Sequence, residues 1–139
     1  MSDRRPMNSE DGERPASRVL VVIGESASRS FVVRILESVL LEVDSATRYE
    51  EALERLNQHQ PPAVMVIDPT IPRVDGVELL RKLQEEHPDL LERTIVIAEP
   101  GSPLSERIRH EVACRQIQRP VLRHELIQAV SDCLREPQS

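Results

Sequence analysis

Five short runs of aliphatic and β-branched residues, each followed by a stretch with helical spacing, restrict the fold of this chain more than any other feature. The runs are Val19-Leu20-Val21-Val22-Ile23, residues 41–46, Ala63-Val64-Met65-Val66-Ile67, Ile95-Val96-Ile97-Ala98 and a weaker one at 112–118. Strands rich in Val and Ile on both faces need cover on both sides, and the intervening helices supply it, which is the pattern of a parallel sheet. Right-handed crossovers then give an α/β fold, a doubly wound (βα)5 sandwich around a five-stranded parallel sheet. In such a sheet ligands bind beyond the carboxyl ends of the strands, where strand order reverses. Function is therefore expected at residues 23–28, 68–76, 98–103 and 118–121.

The helical segments differ in strength. Phe31, Val32, Ile35, Leu36, Val39 and Leu40 form one broad apolar stripe and predict a first helix of about fifteen residues. Ala52, Leu53 and Leu56 mark a second, begun by Tyr49, with Glu51 and Arg55 at i,i+4 on its outer face. Val77, Leu79, Leu80 and Leu83 mark a third, ended by His87-Pro88. The fourth, at 102–110, rests on Leu104 and Ile108 alone. Leu122, Leu126, Ile127, Val130, Cys133 and Leu134 predict a last helix that stops near Pro137. Residues 1–17 mix charge, Pro, Ser and Gly without an apolar period and read as a disordered leader. One domain is expected at 18–136 and a tail at 137–139.

Composition removes several classes of function. A chain of 139 residues can bury a core without disulfides or metal. A formal charge of −6 argues against a phosphate-backbone binder, so no nucleic acid partner is expected. Phe31 and Tyr49 are the only aromatics, too few for base stacking or a flavin sandwich. No run approaches the ~18 apolar residues of a membrane span, and residues 1–17 lack the apolar core of a secretory signal, so a cytoplasmic location without membrane insertion is expected. Cys114 and Cys133 form no CxxC and read as small buried hydrophobes. His59, His87, His110 and His124 never stand at i,i+3 or i,i+4 to one another. The four glycines build neither GxGxxG nor a Walker loop, which sets nucleotide hydrolysis aside.

The sharpest motif closes the third strand: Ile67-Asp68-Pro69-Thr70-Ile71-Pro72-Arg73-Val74-Asp75-Gly76. A carboxylate at the tip of a buried strand, then a Pro-containing loop and an Asp-Gly opening a helix, resembles the phosphoacceptor segment of bacterial response-regulator receiver domains. Arg18 to Val22, Leu41-Glu42-Val43-Asp44-Ser45-Ala46 with Glu50-Glu51-Ala52-Leu53, and Gln118-Arg119-Pro120-Val121 resemble that family's first strand, second strand and helix, and Lys-Pro turn. The resemblance implies the CheY-like (flavodoxin-like) receiver fold, a role in two-component phosphorelay signalling, and Asp68 as the phosphoacceptor equivalent. It also implies Mg²⁺, which shields one anion from another during phosphoryl transfer. In a phosphorylation-competent site the ligands would be Glu25, Asp68 and the backbone carbonyl of Thr70.

Against that pattern this sequence departs at four places. The family's acidic pair after the first strand falls on Ile23 and Gly24, leaving Glu25 as the nearest carboxylate. Its Thr or Ser hydroxyl at the end of the fourth strand falls on Ala98. Its switch aromatic falls near Gln116. Its lysine falls on Arg119, whose planar fork can pair with Asp68, even bidentately, and hold the loops in one conformation. Simpler roles stand beside these: Asp68 and Asp75 as loop caps, Glu25 as an acid at a helix start, and Ser102 as the cap of the fourth helix.

Two functions follow. In the first, the chain is an atypical, pseudo-receiver interaction module with impaired phosphorylation, needs no cofactor, and signals through a protein partner. In the second, it is a working Mg²⁺-dependent phosphoacceptor that takes phosphate from a histidine kinase onto Asp68. The losses favour the first, a non-enzymatic module with at most self-phosphorylation and dephosphorylation at Asp68. The resemblance also implies a kinase or effector in trans, and a homodimer through the fourth helix, fifth strand and fifth helix. That face offers Arg107, Arg109, Glu111, Arg115, Arg123, Glu125 and Arg135.

Overall fold

The computed structural model describes residues 17–57, 60–70, 76–111 and 115–135. The strands are β1 (Arg18–Val22), β2 (Glu42–Ala46), β3 (Val64–Ile67), β4 (Thr94–Ala98) and β5 (Arg115–Gln118). They form one sheet in the order β2-β1-β3-β4-β5, parallel throughout. The helices are α1 (Ser26–Glu37), α2 (Tyr49–Leu56), α3 (Gly76–Glu86), α4 (Pro88–Leu91), α5 (Pro103–Glu111) and α6 (Arg123–Arg135). This is the doubly wound sandwich the alternation dictates.

Alternate residues of each strand feed two separate cores. Leu20, Val22, Met65, Ile67 and Val96 pack with Ala52 and Leu56 of α2, Leu79, Leu80 and Leu83 of α3, and Ile108 of α5. Val19, Val21, Ile23, Val64, Val66, Ile95 and Ile97 face the other way, onto Val32, Ile35 and Leu36 of α1 and Leu126, Val130 and Cys133 of α6. Every residue of β3 and β4 is buried, which explains their unbroken apolar runs. The two edge strands are more polar, and β5 alternates nothing: Arg-Gln-Ile-Gln is half-buried and ends exposed.

Several expectations are corrected. The first helix has 12 residues and stops at Glu37, because Leu40 takes a left-handed φ of 66° that no helix continues. Its N–H bonds Glu37 O and that of Leu41 reaches Leu36 O, a helix-closing turn usually built on glycine. The far end of the expected stripe is therefore not core, with Leu40 86% exposed and Val39 exposed beside it; Phe31, at the near end, is exposed as well. An additional short helix, α4, follows His87 because Pro88 suits a first helical position. Leu122 lies before α6 and is exposed, as is Leu134. The expectations on His59, Ile71 to Asp75, Val112, Cys114, the leader up to residue 16 and the tail from 136 lie outside the described residues.

Candidate functional site

Strand order reverses between β1 and β3, which lie side by side although β2 separates them in sequence. Asp68 sits at that junction. Its N–H bonds Val22 O at 2.9 Å, extending the β1–β3 ladder one residue past β3 and fixing the backbone from which the carboxylate projects. Gly76 holds the returning loop close: its N–H bonds Pro69 O at 3.1 Å, and a Cβ added there would stand 2.7 Å from the same oxygen. Glycine is required at that position by contact with backbone, not by conformation.

Arg119 arrives from the opposite side. Its N–H bonds Ala98 O at 2.9 Å, continuing the β4–β5 register that pairs Ala98 with Gln118. Strands β3 and β5 flank β4 and so lie two spacings apart, about 9.6 Å. The Arg119 side chain spans that gap across the end of β4, where Ala98 presents only a methyl group. The peptide bond between Arg119 and Pro120 is cis.

Both carboxylate oxygens of Asp68 are engaged. Arg119 Nη2 donates to Oδ2. Oδ1 accepts from Thr70 N at 3.0 Å and from Thr70 Oγ1 at 2.7 Å. The contact with Arg119 is through one nitrogen, so the bidentate form is corrected: Thr70 takes the oxygen a second guanidinium contact would need. Asp68 is 4% exposed, and a carboxylate buried to that degree requires such partners. The remaining face of Arg119 meets Glu99, whose Oε1 lies 3.6 Å from Nε, an ion pair too long for a hydrogen bond.

The other expected site residues are placed as follows. Glu25 is the N-cap of α1 and accepts from Ala27 N at 3.1 Å and Ser28 N at 2.8 Å. These hydrogen bonds, those from Ser28 foremost, hold its carboxyl below the ordinary carboxylate range. Ile23 is buried in the α1 side of the core, and Gly24 carries no donor side chain. Ala98 is buried. Ser102 Oγ accepts from Ser105 N at 3.2 Å, as a helix cap, while Ser105 Oγ accepts from Glu99 N at 3.1 Å. Among the described residues no group of three or more His, Cys, Asp or Glu is placed to share a cation. The donors around Asp68 therefore suit Mg²⁺ poorly: two of its neighbours at the end of β1 offer no oxygen side chain, and Glu25 is turned to its own helix.

The structure sets Asp68, Arg119 and Ala98 beside one another, and it adds three participants that the sequence did not single out. The Thr70 hydroxyl was passed over in favour of its carbonyl, although Asp-x-Thr is a spacing at which the side chains can bond. Glu99 was not singled out. Nor was a cleft of about 600 Å³ between α1, the end of β4 and the β5–α6 connection, which borders both Asp68 and Arg119.

Comparisons with known proteins agree with this fold. The sequence pattern of the response regulator receiver domain family matches residues 19–131. A protein-glutamate methylesterase/protein-glutamine glutaminase of Cereibacter sphaeroides is 35% identical over 75 residues, 53% of this chain and 20% of its own length. The response regulator receiver protein CpdR of Brucella abortus is 34% identical over 73 residues, 52% of this chain and 60% of its own. Among solved structures, the receiver domain of NtrX from Brucella abortus superposes with a TM-score of 0.75 at 26% identity, over 86% of this chain and 99% of that one. The chain thus spans about a fifth of the Cereibacter relative and over half of CpdR.

Proposed function

We propose, from the premise that this chain belongs to the response regulator receiver domain family of two-component signalling, that it is an atypical receiver in which an internal cation occupies the phosphoacceptor site. In this reading Arg119 neutralises Asp68 permanently and the domain signals by occupying a partner, a kinase or an effector in trans. Its setting is the cytoplasm, and nothing in the described residues is long and apolar enough to cross a membrane as a helix.

One observation carries the reading: both carboxylate oxygens of the buried Asp68 are engaged from within the chain, Oδ2 by Arg119 and Oδ1 by Thr70. To attack phosphorus, an oxygen of this buried, already neutralised carboxylate would have to use a lone pair left beside its partner while a second anion approached. Positioned positive charge is the main means of lowering such a barrier. Arg119 supplies one unit, already spent on Asp68 and shared with Glu99. The loss of the hydroxyl at Ala98 removes a further contact that a phosphoryl oxygen could make.

The second reading, a working Mg²⁺-dependent phosphoacceptor, is supported by the retention of Asp68 at a strand tip and of the Pro and Asp-Gly elements of its loop. It needs Glu25 to leave its helix cap and Thr70 to offer its carbonyl. A homodimer through α5, β5 and α6 is compatible with either reading. The deciding experiment is incubation with acetyl phosphate and Mg²⁺, followed by intact-mass measurement. The first reading expects no phosphoryl adduct; an adduct that Asp68→Ala abolishes selects the second.

A further inference from the structure

The cleft beside the Asp68–Arg119 pair joins apolar walls to charged groups. Its volume of about 600 Å³ falls within the range of small-molecule sites. Its walls are Phe31 and Val32 of α1, Pro100, Pro120 and Val121. Phe31 is the chain's one phenylalanine, and it stands 45% exposed at this cleft rather than in either core. Burying it against a ligand recovers area that folding leaves in water.

The charges that line the cleft are Asp68, Arg119 and Glu99. Arg119 balances Asp68, so the set is left with one negative charge, on Glu99. The Glu99 carboxylate is 63% exposed and has the 3.6 Å ion pair with Arg119 but, among the described residues, no hydrogen bond. An anion would meet that charge and find its countercharge already committed. A cation would gain a charge-assisted hydrogen bond from Glu99 and could lie over the face of Phe31.

The geometry points to a binding site for a small organic ammonium ion with an apolar body. The ammonium donates to Glu99 Oε, and the body packs against Phe31, Val32 and Val121. The inference goes beyond the function proposed above and shares with it only the Asp68–Arg119 pair. It needs the charge balance of Asp68, Glu99 and Arg119, not the loss of phosphoryl transfer, and the acetyl phosphate result leaves it untouched.

The test is an amide NMR titration of the full chain with 2-phenylethylamine at neutral pH, beside the neutral 2-phenylethanol and the anionic 3-phenylpropionate. Expected are saturable shifts at Phe31, Val32, Glu99 and Val121, with the amine binding about tenfold tighter than the alcohol, as one charge-assisted hydrogen bond warrants. Glu99→Gln should bring amine and alcohol to the same affinity, and Phe31→Ala should weaken both. Glu99 and Phe31 are exposed enough that neither change threatens the fold, which the undisturbed spectra of the free variants check. Absence of saturable shifts with the amine, propionate binding as well as the amine, or an amine preference that survives Glu99→Gln would each overturn the proposal.

Discussion

Replacing Arg119 by Met removes the cation while keeping most of the side chain's bulk, and so tests whether Asp68 depends on it. Breaking a buried pair costs about 3–5 kcal/mol, while an exposed pair is worth about 0–1. Here the Asp68 side chain is 6% exposed and that of Arg119 33%, and the two Thr70 bonds to Oδ1 survive the change. The intermediate value, about 2 kcal/mol of destabilisation at neutral pH, is expected, or about 6–12 °C in Tm for a domain of this size. Urea unfolding measures it. Asp68→Asn alone should cost about 1 kcal/mol, since Arg119 keeps Glu99 and water. The double variant should recover much of the sum, leaving a coupling energy of about 1.5–2 kcal/mol. Coupling below about 0.5 kcal/mol would refute the reasoning, because two groups that ignore each other energetically cannot form a lock.

Four further outcomes are expected. Gly76→Ala drives a Cβ to 2.7 Å from Pro69 O, on backbone that cannot swing away, and should destabilise the domain by about 1–3 kcal/mol in the same unfolding assay. Leu40→Gly should do the opposite and stabilise by about 1 kcal/mol, since it relieves a left-handed φ of 66° while the exposed leucine gives up little burial; an unchanged midpoint would count against the strain. Glu25 has a folded-state carboxyl pKa below its unfolded value, chiefly through Ser28, so its contribution is present above the unfolded pKa and lost as pH falls through the folded one. The stability gap between wild type and Glu25→Gln should therefore shrink as the solution is acidified through the carboxylate range, and a gap that widens would contradict the cap. Gly24→Asp combined with Arg119→Lys should give the β1 end a carboxylate and loosen the hold on Asp68, so divalent-ion titration by NMR should show shifts at Asp68 that wild type lacks.

How far the sequence foretold all this depends on which force decides each element. The strands were legible because β1, β3 and β4 are buried on both faces, and burial writes itself as unbroken Val and Ile. The partnership of Asp68 and Arg119 was legible only through the family resemblance, which sets Arg119 in the place of a lysine; the sheet order, with the ends of β3 and β5 on either side of β4, is what realises it. The end of α1 was not legible. Val39 and Leu40 continue the apolar period perfectly, yet a backbone turn at Leu40, set by hydrogen bonds to Leu36 and Glu37, overrides the period and leaves leucine in water. The single Thr70–Asp68 Oδ1 arrangement was missed because side-chain choice between two acceptors is settled by local geometry that spacing does not encode. Glu99 escaped notice for a related reason: its position beside Arg119 is a product of register between β4 and β5 rather than of any motif.

The occupancy of Asp68 is tested most directly by mass spectrometry of this protein recovered from the cells that make it. An unmodified aspartate at position 68 is expected, with the peptide carrying it found at its plain mass under conditions that preserve acyl phosphates. A substantial fraction bearing a phosphoryl group on that side chain, absent from Asp68→Ala grown alongside, would contradict it.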